Sequence, residues 1–279
     1  MLGFSVLQAA TAVSLVVGAV SVLLVWRLGC VLFDQRVGWV GAALFCVFPG
    51  MAISWGLTYS ECVGLGLAAG CLLLMLRERW FWAGLIGAVA TATSPMALPL
   101  ALAAVVPVLR SLRGRELPGA LLTVCLVPMG FLAFAGYLGL HYHDPLFWWH
   151  LQHQAWGAQV DFGESLLVLL VHPWSGGYQG RGWMEWAGIM TVVGAIVALV
   201  RARPPLLITF YCAGAFILMF VSNQLGFKPR LLSWAFPALI ALAAITRRRG
   251  WKPIAIAFVI LLPIAFVAYT TYGNYMIQP

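Results

Sequence analysis

An apolar stretch with arginines at both ends decides the fold of this chain: residues 77–115 read RERWFWAGLIGAVATATSPMALPLALAAVVPVLRSLRGR. Short basic loops of membrane proteins stay on the cytoplasmic side, so a single crossing would place the two arginine groups on opposite sides. A break at Thr93-Ser94-Pro95 removes this conflict, because Pro95 and Pro99 lack backbone donors and interrupt a helix. The sequence therefore predicts two short helices that form a hairpin over residues 80–109, either re-entrant or fully spanning.

Most of the remaining cations obey the same rule. Most of the 16 Lys and Arg residues lie in short clusters between apolar runs: Arg27/Arg36, Arg77/Arg79, Arg110/Arg113/Arg115, Arg201/Arg203 and Arg247/Arg248/Arg249/Lys252. The cations Arg181, Lys228 and Arg230 fall on the other face, together with five acids and all five histidines. This alternation predicts a multi-pass protein of the cell membrane whose two termini lie on the non-cytoplasmic side.

Composition supports a membrane protein, because 63% hydrophobic and 9% charged residues leave too little polar surface for a soluble domain. The net charge of +8 then reflects the cytoplasmic loops and not nucleic-acid binding. The six cysteines lack the spacing of zinc sites or of a disulfide framework. We expect one all-α transmembrane domain over residues 1–279, a polytopic bundle of about eight spans plus the hairpin. The apolar segments lie near 5–26, 37–54, 61–76, 117–140, 184–200, 206–221, 231–246 and 253–272.

The largest external segment, residues 141–183, is predicted to carry an interfacial helix. Asp144-Pro145 has the composition of a helix start. From there Trp149, His153, Trp156 and Val160 follow helical spacing, which places aromatic side chains on one face. This face either lies in the headgroup layer or lines a substrate groove.

The run His141-Tyr142-His143-Asp144 carries imidazole and carboxylate groups that can bind a divalent metal. Its spacing differs from the paired spacing of zinc ligands. We therefore expect no cofactor and no metal site, with a solvated loop at this run and a divalent metal as the alternative.

Glu61 is a candidate site residue, because a carboxylate at the end of an apolar segment is costly to bury and is usually functional or paired. Tyr59 and Ser60 offer hydroxyl groups beside it. The alternative is a helix-start acid that the helix dipole favours.

Lys228 and Arg230 precede an apolar segment on the outer face, against the usual charge bias. Ammonium and guanidinium groups in this position are natural partners of a lipid phosphate. The alternative is that both side chains extend to the headgroup layer without a specific partner.

These residues resemble motifs of the polytopic GT-C glycosyltransferases, and in particular of the bacterial relatives of the PIG-V mannosyltransferase of GPI-anchor assembly. The similar positions are Phe48-Pro49, Tyr59-Ser60-Glu61, Thr93-Ser94-Pro95, Asp144-Pro145-Leu146-Phe147 with Gln152, Ala155, Trp156 and Gly157, and Arg230 with Pro237. The resemblance implies a transferase that moves mannose from a polyprenyl-phosphate carrier on the non-cytoplasmic face.

Under this interpretation Glu61 and Asp144 are the catalytic candidates. The substrate-binding candidates are Tyr59, His143, Trp148, Trp149, Gln152, Trp156, Lys228 and Arg230.

Two features depart from the family. Ser94 stands where an arginine is common, and the family's opening helix and the outer loop with its catalytic aspartate have no counterpart in these residues. Because sugar transfer needs a carboxylate that accepts the proton of the acceptor, we expect slow transfer by this chain alone. A partner protein that supplies the missing region is a further expectation.

Two other classes remain open: a transporter or flippase of a lipid-linked substrate, and a non-catalytic membrane protein. Transporters place ionisable groups near the bilayer midplane, often at broken helices. Pro95 has no charged neighbour in the sequence, which favours the transferase.

Overall fold

The computed structural model describes residues 6–56, 60–110, 116–172, 182–221, 223 and 229–247. The predicted all-α membrane fold is confirmed. The described part contains thirteen α-helices: α1 (Val6–Leu32), α2 (Gln35–Val47), α3 (Pro49–Gly56), α4 (Glu61–Leu76), α5 (Trp80–Thr93), α6 (Pro99–Arg110), α7 (Leu117–His141), α8 (Phe147–Trp156), α9 (Glu164–Val171), α10 (Gly182–Ala202), α11 (Leu206–Phe220), α12 (Pro229–Leu232) and α13 (Pro237–Thr246). The predicted segment 253–272 lies outside the described residues.

The predicted break in residues 80–109 is present as a 3₁₀ turn, Pro95–Ala97, between α5 and α6. Ser94 precedes Pro95 in an extended conformation, as the residue before a proline prefers. The Ser94 hydroxyl oxygen accepts a hydrogen bond from the Met96 amide at 3.3 Å. The helix therefore stops where proline removes its donors, and a local cap forms the turn.

The path of the chain shows that α5 and α6 form the two arms of a hairpin. Helix α5 runs parallel to α7, because Thr123 Oγ1 donates to the Trp80 carbonyl near the start of both helices and the Phe131 amide donates to Thr91 Oγ1 further along. Residues 111–115, which reach at most about 20 Å, lead from the end of α6 to the start of α7. Helix α6 must therefore run back toward the end where α5 begins.

Helices α5 and α7 approach closely because small residues lie between them. At Gly130 an added Cβ would collide with the backbone carbonyl of Ala88. At Gly87 it would lie 2.6 Å from a methyl carbon of Val127. Small residues that allow close backbone contact are typical of helix pairs in membranes.

The described members of the predicted basic clusters lie at one end of the bundle. Asp34 accepts a hydrogen bond from the Val37 amide at 2.9 Å and so caps α2, and its other carboxylate oxygen forms an ion pair with Arg247 at the end of α13. At the same end, the negative charge of Glu78 raises the pKa of the Glu116 carboxyl. The turn after α4 and the start of α7 are therefore neighbours.

Glu61 lies at the opposite end. Ser21 Oγ donates to the Cys62 carbonyl at 2.7 Å, and Leu24 faces Gly70, so α1 and α4 run parallel. Asp34 follows Ser21 by about 20 Å along this direction, at 1.5 Å per residue. The two ends thus separate the basic clusters from Glu61, as predicted, while the assignment of each end to a side of the membrane remains a prediction.

Within the described residues, two helices are long and apolar enough to cross a membrane by themselves, Ala9–Leu32 and Leu117–His141. In the second, only 11% of the apolar window is buried inside the protein. A core helix of a soluble protein buries most of this surface, whereas exposed apolar faces suit a lipid environment. The number of spans remains a prediction.

Three predicted segments differ in their bounds. Segment 37–54 divides into α2 and α3 because Phe48, which precedes Pro49, is extended with ψ 132°. Segment 231–246 divides into α12, a 3₁₀ turn at Ser233–Ala235 and α13, which starts at Pro237. Segment 5–26 continues through Arg27 to Leu32 in a single helix. All six cysteines are free.

Candidate functional site

Glu61 starts α4 and is buried, with 8% of its surface exposed. The first turn of a helix favours a negative charge, which satisfies the helix-start alternative, but burial of a carboxylate is costly and also fits a functional group. Ser60 Oγ donates to the Thr93 carbonyl at 3.3 Å. The fold thus brings the Ser60-Glu61 motif beside the Thr93-Ser94-Pro95 break, although the two are far apart in the sequence.

Trp234 completes this region and was missed by the sequence analysis. An added Cβ at Gly64, one turn after Glu61, would lie 2.6 Å from the Trp234 ring and 3.4 Å from Thr93 Oγ1. Trp234 is fully buried, and its Nε1 has no hydrogen-bond partner among the described residues. A buried donor without an acceptor costs about 1–3 kcal/mol of stability. The N–H group at Trp234 Nε1 is therefore available to donate a hydrogen bond to a ligand at this site. The only sequence signal was its position shortly after Arg230.

Arg230 lies in the short helix α12, which packs against α3 and leads directly into the turn that carries Trp234. The backbone therefore places Arg230 at the Glu61 end of the bundle. Lys228 and Tyr59 lie outside the described residues.

Asp144 forms the turn between α7 and α8. His150 Nδ1 lies 2.6 Å from Asp144 Oδ2, and Asp144 Oδ1 accepts from the Leu146 amide at 3.0 Å. The hydrogen bond with His150, helped by that of Leu146, lowers the pKa of the Asp144 carboxyl. Asp144 is therefore held as an anion, and its partner His150 was not predicted.

The predicted start of α8 is wrong by a few residues. Asp144 and Pro145 lie in a turn, and the helix begins at Phe147, with no side-chain cap at its N-terminus. The Asp144 amide donates to the Gly139 carbonyl, and the rings of Tyr142 and Phe147 stack 3.9 Å apart. These contacts reverse the chain tightly, so the helix starts only after the turn.

The end of α8 also differs from the prediction. Gly157 ends the helix in the left-handed conformation, with φ +60°, as glycine commonly does. The Gln152 carbonyl accepts a hydrogen bond from the Ala158 amide at 3.2 Å. Val160 therefore lies beyond the helix and is not part of its aromatic face.

The tryptophans of α8 point in different directions. Trp148 packs edge-on against Phe131 of α7, with ring centroids 5.0 Å apart, whereas Trp149 is 44% exposed. His143, in a left-handed turn with φ 55°, is exposed as well. Trp148 thus anchors the helix, and Trp149 and His143 are accessible. The Trp156 side chain lies outside the described part of the structure.

The part of the external segment that follows α8 contacts the end of α11. The Val221 carbonyl accepts from the amides of Asp161 and Phe162, and Asn223 bonds the backbone of Gly157 and Gln159. Asn223, which the sequence analysis did not select, therefore helps to hold the external segment across the bundle between α7 and α11.

Asp161 lies three residues before α9, accepts hydrogen bonds from the Gly163 and Ser165 amides, and remains an anion. Burial raises the pKa of its carboxyl, but the hydrogen bonds from Ser165 and Gly163 together outweigh burial, and the pKa is lowered. In α9, Leu167 and Val171 are mostly exposed, so this short helix presents an apolar surface.

No group of three or more His, Cys, Asp or Glu side chains within the described residues is arranged to hold a metal ion. His141 instead stacks on Tyr137, with centroids 5.9 Å apart. The expectation that the protein needs no metal remains a prediction.

No protein-family model matches the chain, and no curated protein matches its sequence. Among solved structures, the chain is similar to the crystal structure of ArnT from Cupriavidus metallidurans bound to undecaprenyl phosphate, with a TM-score of 0.57 and 20% identity. The similarity covers 90% of this chain and 49% of ArnT, so the chain spans about half the length of ArnT. The fold is therefore similar to that of ArnT, in agreement with the predicted helical membrane fold.

Proposed function

We propose that this chain belongs to a membrane glycosyltransferase that takes mannose from a polyprenyl-phosphate carrier and passes it to an acceptor on the non-cytoplasmic face. The observation that carries the proposal is the similarity of fold to ArnT over 90% of the chain, because the ArnT structure holds undecaprenyl phosphate. The choice of mannose and of a PIG-V-like enzyme rests on the sequence motifs around Glu61, Asp144 and Arg230.

The donor phosphate binds to Arg230 and Lys228 in this proposal. Helix α12 places Arg230 just before Trp234, whose ring packs against α4 one turn from Glu61. Cationic donors near the leaving phosphate stabilise the charge that develops there. The Trp234 indole N–H is a third donor at the same end of the bundle.

The reaction forms one glycosidic bond and breaks one phosphate ester. The acceptor hydroxyl attacks the anomeric carbon of the sugar, the bond from that carbon to the phosphate oxygen breaks, and the electron pair leaves with the polyprenyl phosphate. The hydroxyl proton passes to a carboxylate. Glu61 is the better candidate for this base, because the hydrogen bonds of Asp144 to His150 and Leu146 already stabilise its charge and make it less basic.

Asp144 then orients the outer turn, and nearby aromatic and polar groups contact the sugar or the prenyl chain. Trp149 and His143 support this role because both are exposed on the outer segment. Trp148 acts from its position against α7. Gln152, Trp156 and Tyr59 complete the proposed substrate contacts.

The test is donor binding and mannosyl transfer by the purified chain in nanodiscs. We expect the chain to bind polyprenyl-phosphate mannose and to transfer mannose slowly, because Glu61 acts in place of the aspartate that the family it resembles uses, and a poorly positioned general base can cost up to about 10²–10⁴-fold in rate. Addition of the acidic loop that the resemblance implies, in the same polypeptide or from a partner, should restore transfer. Glu61→Gln should abolish the remaining transfer, whereas Glu116→Gln at the other end should not. Absence of donor binding in every form would contradict the proposal.

A transporter or flippase of a lipid-linked substrate is the second candidate function. It is supported by the Ser60 bond to Thr93, which places the start of α4 beside a broken helix, and ionisable groups at broken helices are typical of transporters. Transbilayer movement of a fluorescent polyprenyl phosphate in proteoliposomes, without sugar transfer, would favour this function.

A further inference from the structure

The basic end of the bundle contains a cavity that the proposed transferase reaction does not use. Its volume is about 470 Å³, and it lies between the ends of α2, α10 and α13. Phe33, Val37 and Ile245 supply apolar walls, and Arg201 and Arg247 supply the charged groups. This end is opposite Glu61, so the cavity is separate from the candidate site described above.

The two arginines of the cavity differ in their partners. Arg247 pairs with Asp34, whose second carboxylate oxygen is held by the Val37 amide. Arg201 has no ion-pair partner among the described residues. The positive charge of Arg201 in the cavity is therefore not neutralised by the described acids. The ion pair with Asp34 holds the neighbouring Arg247 in place.

Arg247 retains binding capacity despite its ion pair. A guanidinium has five N–H donors, and the Arg247 side chain remains 56% exposed. Guanidinium groups suit a phosphate ligand, because a phosphate accepts parallel hydrogen bonds from one guanidinium.

We propose that this cavity binds the phosphate of an anionic phospholipid headgroup. The apolar walls distinguish a lipid from free phosphate, because the glycerol and upper acyl region of a lipid can cover the partly exposed side chains of Phe33 and Ile245. The cavity also lies at the ends of apolar helices, at the level where lipid headgroups meet the protein. Free inorganic phosphate could make the same contacts with the two arginines. The experiment below distinguishes it from the lipid.

The test measures retention of phosphatidylglycerol by the full chain after purification from mixed phosphatidylglycerol and phosphatidylcholine nanodiscs, read by native mass spectrometry. Arg201→Gln should lower retention of phosphatidylglycerol about tenfold, the effect expected for loss of one charge-assisted contact, and Arg201→Lys should recover part of it. Arg77→Gln removes an exposed arginine that does not line the cavity, and it should leave retention unchanged.

Three results would overturn the proposal. Equal retention by the parent and by Arg201→Gln, when both fold as judged by thermal denaturation, excludes the site. Equal losses in Arg201→Gln and Arg77→Gln indicate general attraction by the basic surface. Stabilisation of the parent by inorganic phosphate, equal to that by phosphatidylglycerol and lost in Arg201→Gln, assigns the cavity to free phosphate.

Discussion

His150 and Asp144 share a hydrogen bond of 2.6 Å that closes the turn between α7 and α8. It joins the last residue of the predicted His-Tyr-His-Asp run to a histidine inside the following helix. The run therefore contributes to the turn through Asp144, and the orientation of α8, with Trp148 against α7, depends on this contact.

The first prediction concerns the acid titration of Asp144. Its pKa is lowered in the folded protein, so the turn gains stability above the unfolded pKa and loses it as the pH falls through the lowered folded pKa. His150→Ala should raise the Asp144 pKa toward its ordinary value. Carboxyl ¹³C NMR of Asp-labelled protein checks this. His153→Ala, an exposed histidine on the same helix, should have no effect, and an unchanged titration in His150→Ala would disprove the role of the contact.

The second prediction concerns the packing of α5 against α7. Gly130→Ala should destabilise the fold strongly, because the new methyl group collides with the Ala88 carbonyl. Gly136→Ala in the same helix has open space, so it should be neutral or stabilising by up to about 1 kcal/mol from helix propensity. Thermal denaturation in detergent compares the two. Equal stability of both variants would mean that α5 and α7 are further apart.

The third prediction concerns sidedness. Because the basic clusters meet at one end, Gly114→Cys and Gly250→Cys should react with an impermeant thiol reagent only after permeabilisation. Gly177→Cys and Gly226→Cys should react in intact cells. The parent chain gives the background of its six native cysteines. Reaction of Gly114→Cys from outside would contradict the predicted hairpin topology.

The fourth prediction concerns the donor phosphate. Arg230→Ala should weaken polyprenyl-phosphate binding by about 1.5–3 kcal/mol, the range of a hydrogen bond to a charged group. Arg230→Lys should recover part of the loss, because the charge remains without the planar fork. Binding is measured by titration in nanodiscs, with Arg79→Ala at the basic end as the control. Normal binding by Arg230→Ala would leave Arg230 without a specific partner.

The local sequence was sufficient to predict the structure where a property of the backbone or of the loop charge acts within a few residues. Pro95 starts the turn after α5 and Pro99 starts α6, as the missing backbone donor of proline favours, so the hairpin was predicted correctly. The helix start at Asp144-Pro145 was predicted too early, because the stacking of Tyr142 on Phe147 keeps the intervening residues in a turn. The local composition of a helix start is shared by turns of this kind.

The sequence by itself determined the all-α membrane fold, the hairpin over residues 80–109 and the separation of the basic clusters from Glu61, because hydropathy, proline chemistry and loop charge act along the chain. Only the tertiary structure decided that Ser60 bonds Thr93, that Trp234 is buried against Gly64, and that Arg201 and Arg247 share a cavity. Each of these contacts joins helices that are distant in sequence. Which small residue faces which large one is set by close packing between helices, and a single sequence carries no direct record of it.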